Sequence, residues 1–282
     1  MKEKKKVLRS AADNVTDFLV VSEQRSGSTW LKMTLNSHPE IFMFGELFMN
    51  DKRRAAFPSQ LRNPGPYADK KTLPRDRILS RERLRALGLK AFHYSTKSPT
   101  TLNPETNGAF FRKVMAYFRD QRGVVVHLRR SNHLDRFISQ VKSRHIGGGH
   151  CDYSKSCDET TLATLKLHLD LKQMLNFIRD GVRHDITVNK MLDTMETQFH
   201  LPVLRVDYET LAANDTGIEE WRSILKHLRL PPDDTRKLSL NLLTKDIQKS
   251  HAQVIANFDA VCGALKNNNF LRFLKKNRTI MR

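Results

Sequence analysis

Residues 24–31, Gln-Arg-Ser-Gly-Ser-Thr-Trp-Leu, put one arginine, one glycine and three hydroxyls within a single turn. The apolar run Phe18-Leu-Val-Val precedes them, and Leu31-Lys-Met-Thr-Leu follows with apolar residues at helical spacing. This order predicts a buried strand, a tight loop, and a helix starting within 28–31. Such a turn aims backbone N–H groups and the positive end of a helix dipole at one point, which makes an anion site. Gly27 allows close approach of the backbone, Ser26, Ser28 and Thr29 offer hydroxyl donors, and Arg25 adds a fixed charge with a planar fork. An ordinary turn needs only one or two such residues. The segment is therefore expected to hold a phosphate or sulfate ester.

A triphosphate-binding loop would need Gly-x-x-x-x-Gly-Lys-Ser/Thr, with the Lys reaching the terminal phosphates and the hydroxyl holding magnesium. Here there is one glycine and no following Lys. The later run Val124-Val-Val-His-Leu ends in Arg129 and Arg130 rather than in a metal-binding Asp. A nucleotide kinase-like phosphotransferase is disfavoured on both counts.

Residues 24–31 resemble the 5′-phosphosulfate loop of sulfotransferases that use 3′-phosphoadenosine 5′-phosphosulfate (PAPS). Arg25 stands where the cytosolic branch has Lys and the carbohydrate branch often has Arg. Residues 124–139 resemble the family's 3′-phosphate motif, in which a strand ends in Arg and the next helix supplies a Ser. Most branches separate the two by eight positions, whereas Arg130 precedes Ser139 by nine and Arg129 by ten. The doubled Arg and longer spacing look more like the bacterial trehalose-type and nodulation-factor sulfotransferases, and leave either Arg as the 3′-phosphate ligand. Residues 204–211, Leu-Arg-Val-Asp-Tyr-Glu-Thr-Leu, resemble a family strand ending in Tyr-Glu-x-Leu, and residues 249–257 resemble a C-terminal segment. The pieces run in family order from about residue 18 to 265. The resemblance implies an α/β fold with a mainly parallel sheet flanked by helices and a P-loop-like nucleotide-binding core. It implies PAPS as donor, adenosine 3′,5′-bisphosphate (PAP) as product, and no metal. Arg25, Ser26, Gly27, Ser28, Thr29, Trp30, Arg129, Arg130, Ser139 and Lys249 are the implied cofactor residues, with Lys90 and Lys245 as further contacts.

The alternation of apolar and polar segments predicts strands over 18–22, 87–94, 124–128 and 203–207. Helices are predicted over 29–36, 81–86, 109–119, 134–143, 160–180, 186–199 and 217–228. This order implies a parallel sheet covered on both faces, with ligands beyond the C-terminal strand ends. One domain spanning 1–282 is expected, with a flexible basic tail over 1–15 and a basic tail over 275–282. The polar stretches 50–77 and 145–157, the latter with Gly147-Gly-Gly, are candidates for acceptor-binding walls or a lid; plain surface connections are the competing reading.

At 282 residues and 39% hydrophobic content the chain can bury a core, and no apolar run reaches membrane-spanning length. No signal-peptide core follows Met1, so a cytoplasmic protein is expected. Cys151, Cys157 and Cys262 read as free thiols, and zinc would need more ligands at tighter spacing. A net charge of +19 suits an anionic cofactor or acceptor; it also admits nucleic acid, although no basic-aromatic interleaving supports that. A homodimer is open.

Sulfuryl transfer needs positioning, charge stabilisation and a base for the acceptor proton. The segment 38–48, His-Pro-Glu-Ile-Phe-Met-Phe-Gly-Glu-Leu-Phe, resembles the carbohydrate-type pattern in which a Glu follows His-Pro, and makes Glu46 the first base candidate. The chain is expected to return there to the sheet edge. His93, at a predicted strand end, is the second candidate, by likeness to the His base of the cytosolic branch. His127 reads as core, and His133 as a cap for the helix after Arg130. The resemblance implies a carbohydrate or small-molecule acceptor.

Overall fold

Four consecutive apolar residues, Phe18 to Val21, are all fully buried, as a strand covered on both faces requires. In a computed structural model of the chain, residues 15–46, 48, 54, 57–59, 84–92, 102–145, 165–213, 217–240 and 250–274 are described. The elements run β1 (Thr16–Ser22), α1 (Ser28–Ser37), β2 (Ile41–Glu46), β3 (Ala86–Phe92), α2 (Gly108–Asp120), β4 (Val124–Arg129), α3 (His133–His145), α4 (Leu171–Thr197), β5 (Val203–Asp207), α5 (Tyr208–Leu211), α6 (Gly217–His227), a 3-10 turn (Pro232–Lys237), α7 (His251–Val254), α8 (Phe258–Asn267) and a last 3-10 turn (Leu271–Phe273). The chain divides into two compact units, Met1–Arg129 with Lys190–Leu243, and Arg130–Asn189 with Thr244–Arg282.

The first unit is built on a five-stranded sheet in the order β2-β3-β1-β4-β5, parallel throughout. Helices flank it, so the fold is α/β, as the alternation of elements predicts. Leu31 and Leu35 of α1, Val114, Met115 and Phe118 of α2, and Trp221, Ile224 and Leu225 of α6 are buried in its core. Because every strand runs the same way, Ser22, Glu46, Phe92, Arg129 and Asp207 close their strands at one edge.

The second unit is helical. Leu134, Phe137, Met174, Ile178, Val261 and Leu265 centre its apolar core. Among the described residues, no helix is long and apolar enough to cross a membrane.

Three expected elements differ. Of the helix expected over 160–180, the described residues 165–170 are not helical and α4 begins at Leu171. Before it, Leu167 donates to Val254 and accepts from Ala256, both at 2.8 Å, while Leu169 exchanges two bonds with the Asn257 side chain. Those distant partners hold 167–169 extended despite the helical pattern of leucines. The predicted break before 186 is absent; α4 runs unbroken through Gly181, where a Cβ would stand 2.7 Å from His133 Nδ1. Glycine costs a helix roughly 1 kcal/mol, and close packing here explains its presence. At the end of the helix expected over 81–86, Ala86 instead opens β3, its N–H bonded to Glu40. The return to the sheet edge after 38 is itself a strand, β2, bounding the sheet.

Gly88 of β3 lies opposite Phe18 of β1, whose ring would be 2.3 Å from an added Cβ. Overpacking at such a site costs about 1–3 kcal/mol. Gly88→Ala should therefore lower the unfolding free energy by that much, read in urea denaturation as a lower midpoint with the slope of the transition unchanged.

Candidate anion-binding site

The turn after β1 is strained where it would grip a ligand. Arg25 has φ 64° and Gly27 φ 86°, both in the left-handed region. That conformation is rare for a residue with a Cβ and costs on the order of 1 kcal/mol at Arg25. Gly27 is doubly constrained, because a Cβ there would meet the Tyr208 ring at 2.3 Å. Ser26 is fully buried and its hydroxyl donates to the Glu23 carbonyl at 2.7 Å, closing the turn. Its hydrogen serves the loop, which differs from the expectation that it would serve a ligand.

Gly27 is the N-cap of α1 and, having no side chain, supplies no side-chain cap itself. Its first bond runs from the Leu31 N–H to the Gly27 carbonyl at 3.0 Å. The amides of Ser28, Thr29 and Trp30 therefore precede the intrahelical ladder, where helix termini carry positive potential. Trp30 is buried, edge-on to Tyr208 and Trp221, and its indole N–H reaches the Leu240 carbonyl at 3.4 Å. Trp30 anchors the helix; its backbone, not its ring, faces the turn's chemistry.

Two ion pairs lie at the same sheet edge. Arg129 grips Asp207 bidentately, Nε to Oδ1 at 2.7 Å and Nη2 to Oδ2 at 3.2 Å, tying β4 to β5. The next residue is Tyr208. On the other side, Lys90 Nζ stands 2.7 Å from Glu46 Oε1, with the lysine buried and Glu46 partly exposed. Irregular register between Phe44 and Glu46 marks a bulge, which re-aims a strand-end side chain. Lys90, expected as a cofactor contact, is committed to Glu46.

The second unit holds Arg130 and Ser139. Asn132, rather than His133, caps α3: its Oδ1 accepts from the Asp135 N–H at 3.0 Å. Arg130 Nη2 lies 3.6 Å from Asp135 Oδ2, and His251 Nε2 lies 2.8 Å from Asp135 Oδ1. Ser139 follows Asp135 by one helical turn, on the same face of α3. Behind them His133 bridges Asp185 at 3.2 Å and Arg136 at 3.1 Å. His184 is pushed down to about 4, by burial first and by Arg136 second.

The sequence profile of the Sulfotransferase family matches residues 17–234, most of the chain. The chain belongs to the sulfotransferase family. Among solved structures, the Sulfotransferase Domain from the Synechococcus PCC 7002 Olefin Synthase is similar at 16% identity, over 95% of this chain and 91% of that one, with a TM-score of 0.41. No curated protein matches the chain.

In this sulfotransferase the residues read from sequence fall into three groups. Arg25 to Trp30, Glu46 and Arg129 gather at the C-terminal edge of the first unit's sheet. Arg130 and Ser139 belong to the second unit. His93, Lys245 and Lys249, with Cys151, Cys157, most of 50–77, nearly all of 145–157, residues 1–14 and residues 275–282, lie outside the described residues. His127 is buried in β4, as expected of a core residue. Asp207, Asp135 and His251 were not singled out as site residues; their partners are 78 and 116 positions away, and only the fold reveals them.

His38, Glu40 and Asp234 place ligand atoms within 4.8 Å of one another, but their chemistry does not fit a metal. Lys237 already sits 3.0 Å from Asp234 and holds its carboxyl below the usual carboxylate range. His38 Nδ1 accepts the Glu40 N–H, which leaves its other ring nitrogen protonated rather than ligating.

Two measurements follow. Gly27→Ala must displace Tyr208 and strain the backbone together, so it should lower the melting temperature and abolish anion binding at the loop, read by phosphate titration. For His184, the unfolded chain takes up a proton below pH 6.5 that the folded chain refuses until about 4. Stability should therefore fall as pH drops through that window, and His184→Gln should flatten the slope in denaturation at stepped pH.

Proposed function

We propose that this sulfotransferase moves a sulfuryl group from PAPS to a hydroxyl or amine of a carbohydrate or small-molecule acceptor. The observation that carries the proposal is the N-terminus of α1 at Gly27, at the end of the central strand β1 and beside Arg25. In parallel α/β sheets ligands sit beyond this edge, next to the strand where the order reverses.

The donor's 5′-phosphosulfate end is assigned to Arg25, the amides of Gly27 to Trp30, and the hydroxyls of Ser28 and Thr29. The 3′-phosphate is assigned to Arg130 with Ser139. Arg130 is preferred to Arg129 for that role because Asp207 holds Arg129 through two close bonds, at 2.7 and 3.2 Å, whereas Asp135 meets Arg130 only at 3.6 Å. In the transfer the bond between sulfur and the donor's phosphate oxygen breaks as a bond from the acceptor oxygen or nitrogen to sulfur forms. Charge grows on the departing PAP phosphate, where Arg25 and the helix amides stabilise it. The acceptor proton passes to Glu46 Oε2, while Lys90 holds Oε1 and fixes the carboxylate's orientation. His93 remains the alternative base in this reading. No step calls for a metal.

Nucleic-acid binding on the same basic surface is the competing function, and it predicts salt-sensitive RNA or DNA binding with no response to PAPS. Labelled sulfate offered from PAPS to a panel of glycans and small alcohols separates the two. The wild-type chain should yield a sulfated product, and Arg25→Ala should lower turnover by about 10²–10³-fold. Glu46→Gln should bind PAP normally yet slow turnover by about 10²–10⁴-fold. Unchanged turnover in Arg25→Ala would remove the loop from the chemistry. Equal loss of binding and turnover in Glu46→Gln would make that residue structural.

A further inference from the structure

Asp135 and His251 are both buried, at 7% and 2% exposure, and neither figures in the chemistry above. Burying a carboxylate is costly unless it is paired and hydrogen-bonded. Here one oxygen meets His251 Nε2 at 2.8 Å and the other lies 3.6 Å from the Arg130 guanidinium. The contacts on each side are themselves built. Ser250 and Gln253 form a capping box around His251, with the Ser250 N–H on Gln253 Oε1 at 2.8 Å. Asn132 accepts the Asp135 N–H and donates to the Phe273 carbonyl at 3.0 Å, which fixes the start of α3.

We infer that the His251–Asp135 pair positions Arg130 for the 3′-phosphate of the nucleotide. This rests on the reading of Arg130 as that phosphate's ligand. His251 donates to Asp135, which orients the carboxylate; the second carboxylate oxygen then holds one edge of the guanidinium. Arginine carries five N–H donors in a rigid fork, so an aspartate on one edge is compatible with a phosphate on another. At 3.6 Å the Arg130–Asp135 contact is an ion pair longer than an ordinary hydrogen bond, suited to orienting the group rather than competing for it. Asp135 and His251 are positioning residues: they touch Arg130 or each other, not the nucleotide.

The test is calorimetric titration of the full chain with PAP and with AMP, which lacks the 3′-phosphate, alongside melting temperatures. Wild type should prefer PAP, and Arg130→Ala should lose that preference. Asp135→Asn and His251→Gln should each cut the preference roughly tenfold, the scale seen for outer partners of built sites, with AMP affinity unchanged. Equal weakening of both nucleotides, or a preference kept at the wild-type value in both variants, would overturn the inference while leaving Arg130 in place. A wild-type chain without preference, or Arg130→Ala retaining it, would instead remove the reading of Arg130 and the inference with it. His251→Gln is remote from α3's own backbone, so it decides the matter even where Asp135→Asn lowers stability.

Discussion

The backbone at Gly27, at φ 86° and with the Tyr208 ring standing where a Cβ would go, governs how β1 hands over to α1. A residue with a side chain would push the ring away and lose the left-handed turn together. Tyr208 in turn follows Asp207, which Arg129 holds bidentately across β4 and β5. The aromatic contact continues through Trp30 into Trp221 of α6. The loop's shape therefore depends on three strands and three helices of the first unit, although the loop itself is only a few residues long. A rigid frame of this kind is what preorganised donors require, because reorganisation at the moment of transfer would forfeit their benefit.

Electrostatics at this edge follow the same economy. Two carboxylates, Glu46 and Asp207, stand at strand ends where an anionic donor is proposed to bind. Each has a cation within 2.7 Å, Lys90 and Arg129 respectively. Neither acid at these strand ends is left without a cation beside it. In the second unit Arg130 and Asp135 repeat the pairing more loosely, at 3.6 Å.

Local patterns in the sequence carried the strand-loop-helix from Phe18 to Leu31, the buried β4 ending in paired arginines, and β5 before Tyr208. Each rests on neighbours in the chain: an apolar run, a glycine, a helical repeat. What sequence missed depends on distant partners. Leu165 and Leu169 read as helix because the bonds of 167–169 to Val254, Ala256 and Asn257 are invisible in a local window. Gly181 read as a helix end because the close packing of His133 against it is a tertiary fact. The doubled arginine leaves either residue open in sequence; that Arg129 has Asp207, 78 positions on, as a partner is visible only in the fold. Lys90 illustrates the reverse, a basic residue near a phosphate motif whose partner is an acid on the adjacent strand.

In the proposed function the turn from Arg25 to Trp30 holds the donor's 5′-phosphate end. A crystal structure of the chain with PAP bound tests it most directly. The 5′-phosphate should lie within hydrogen-bond reach of the Ser28, Thr29 and Trp30 amides and of Arg25. A 5′-phosphate seated elsewhere, with those amides facing solvent, would contradict it.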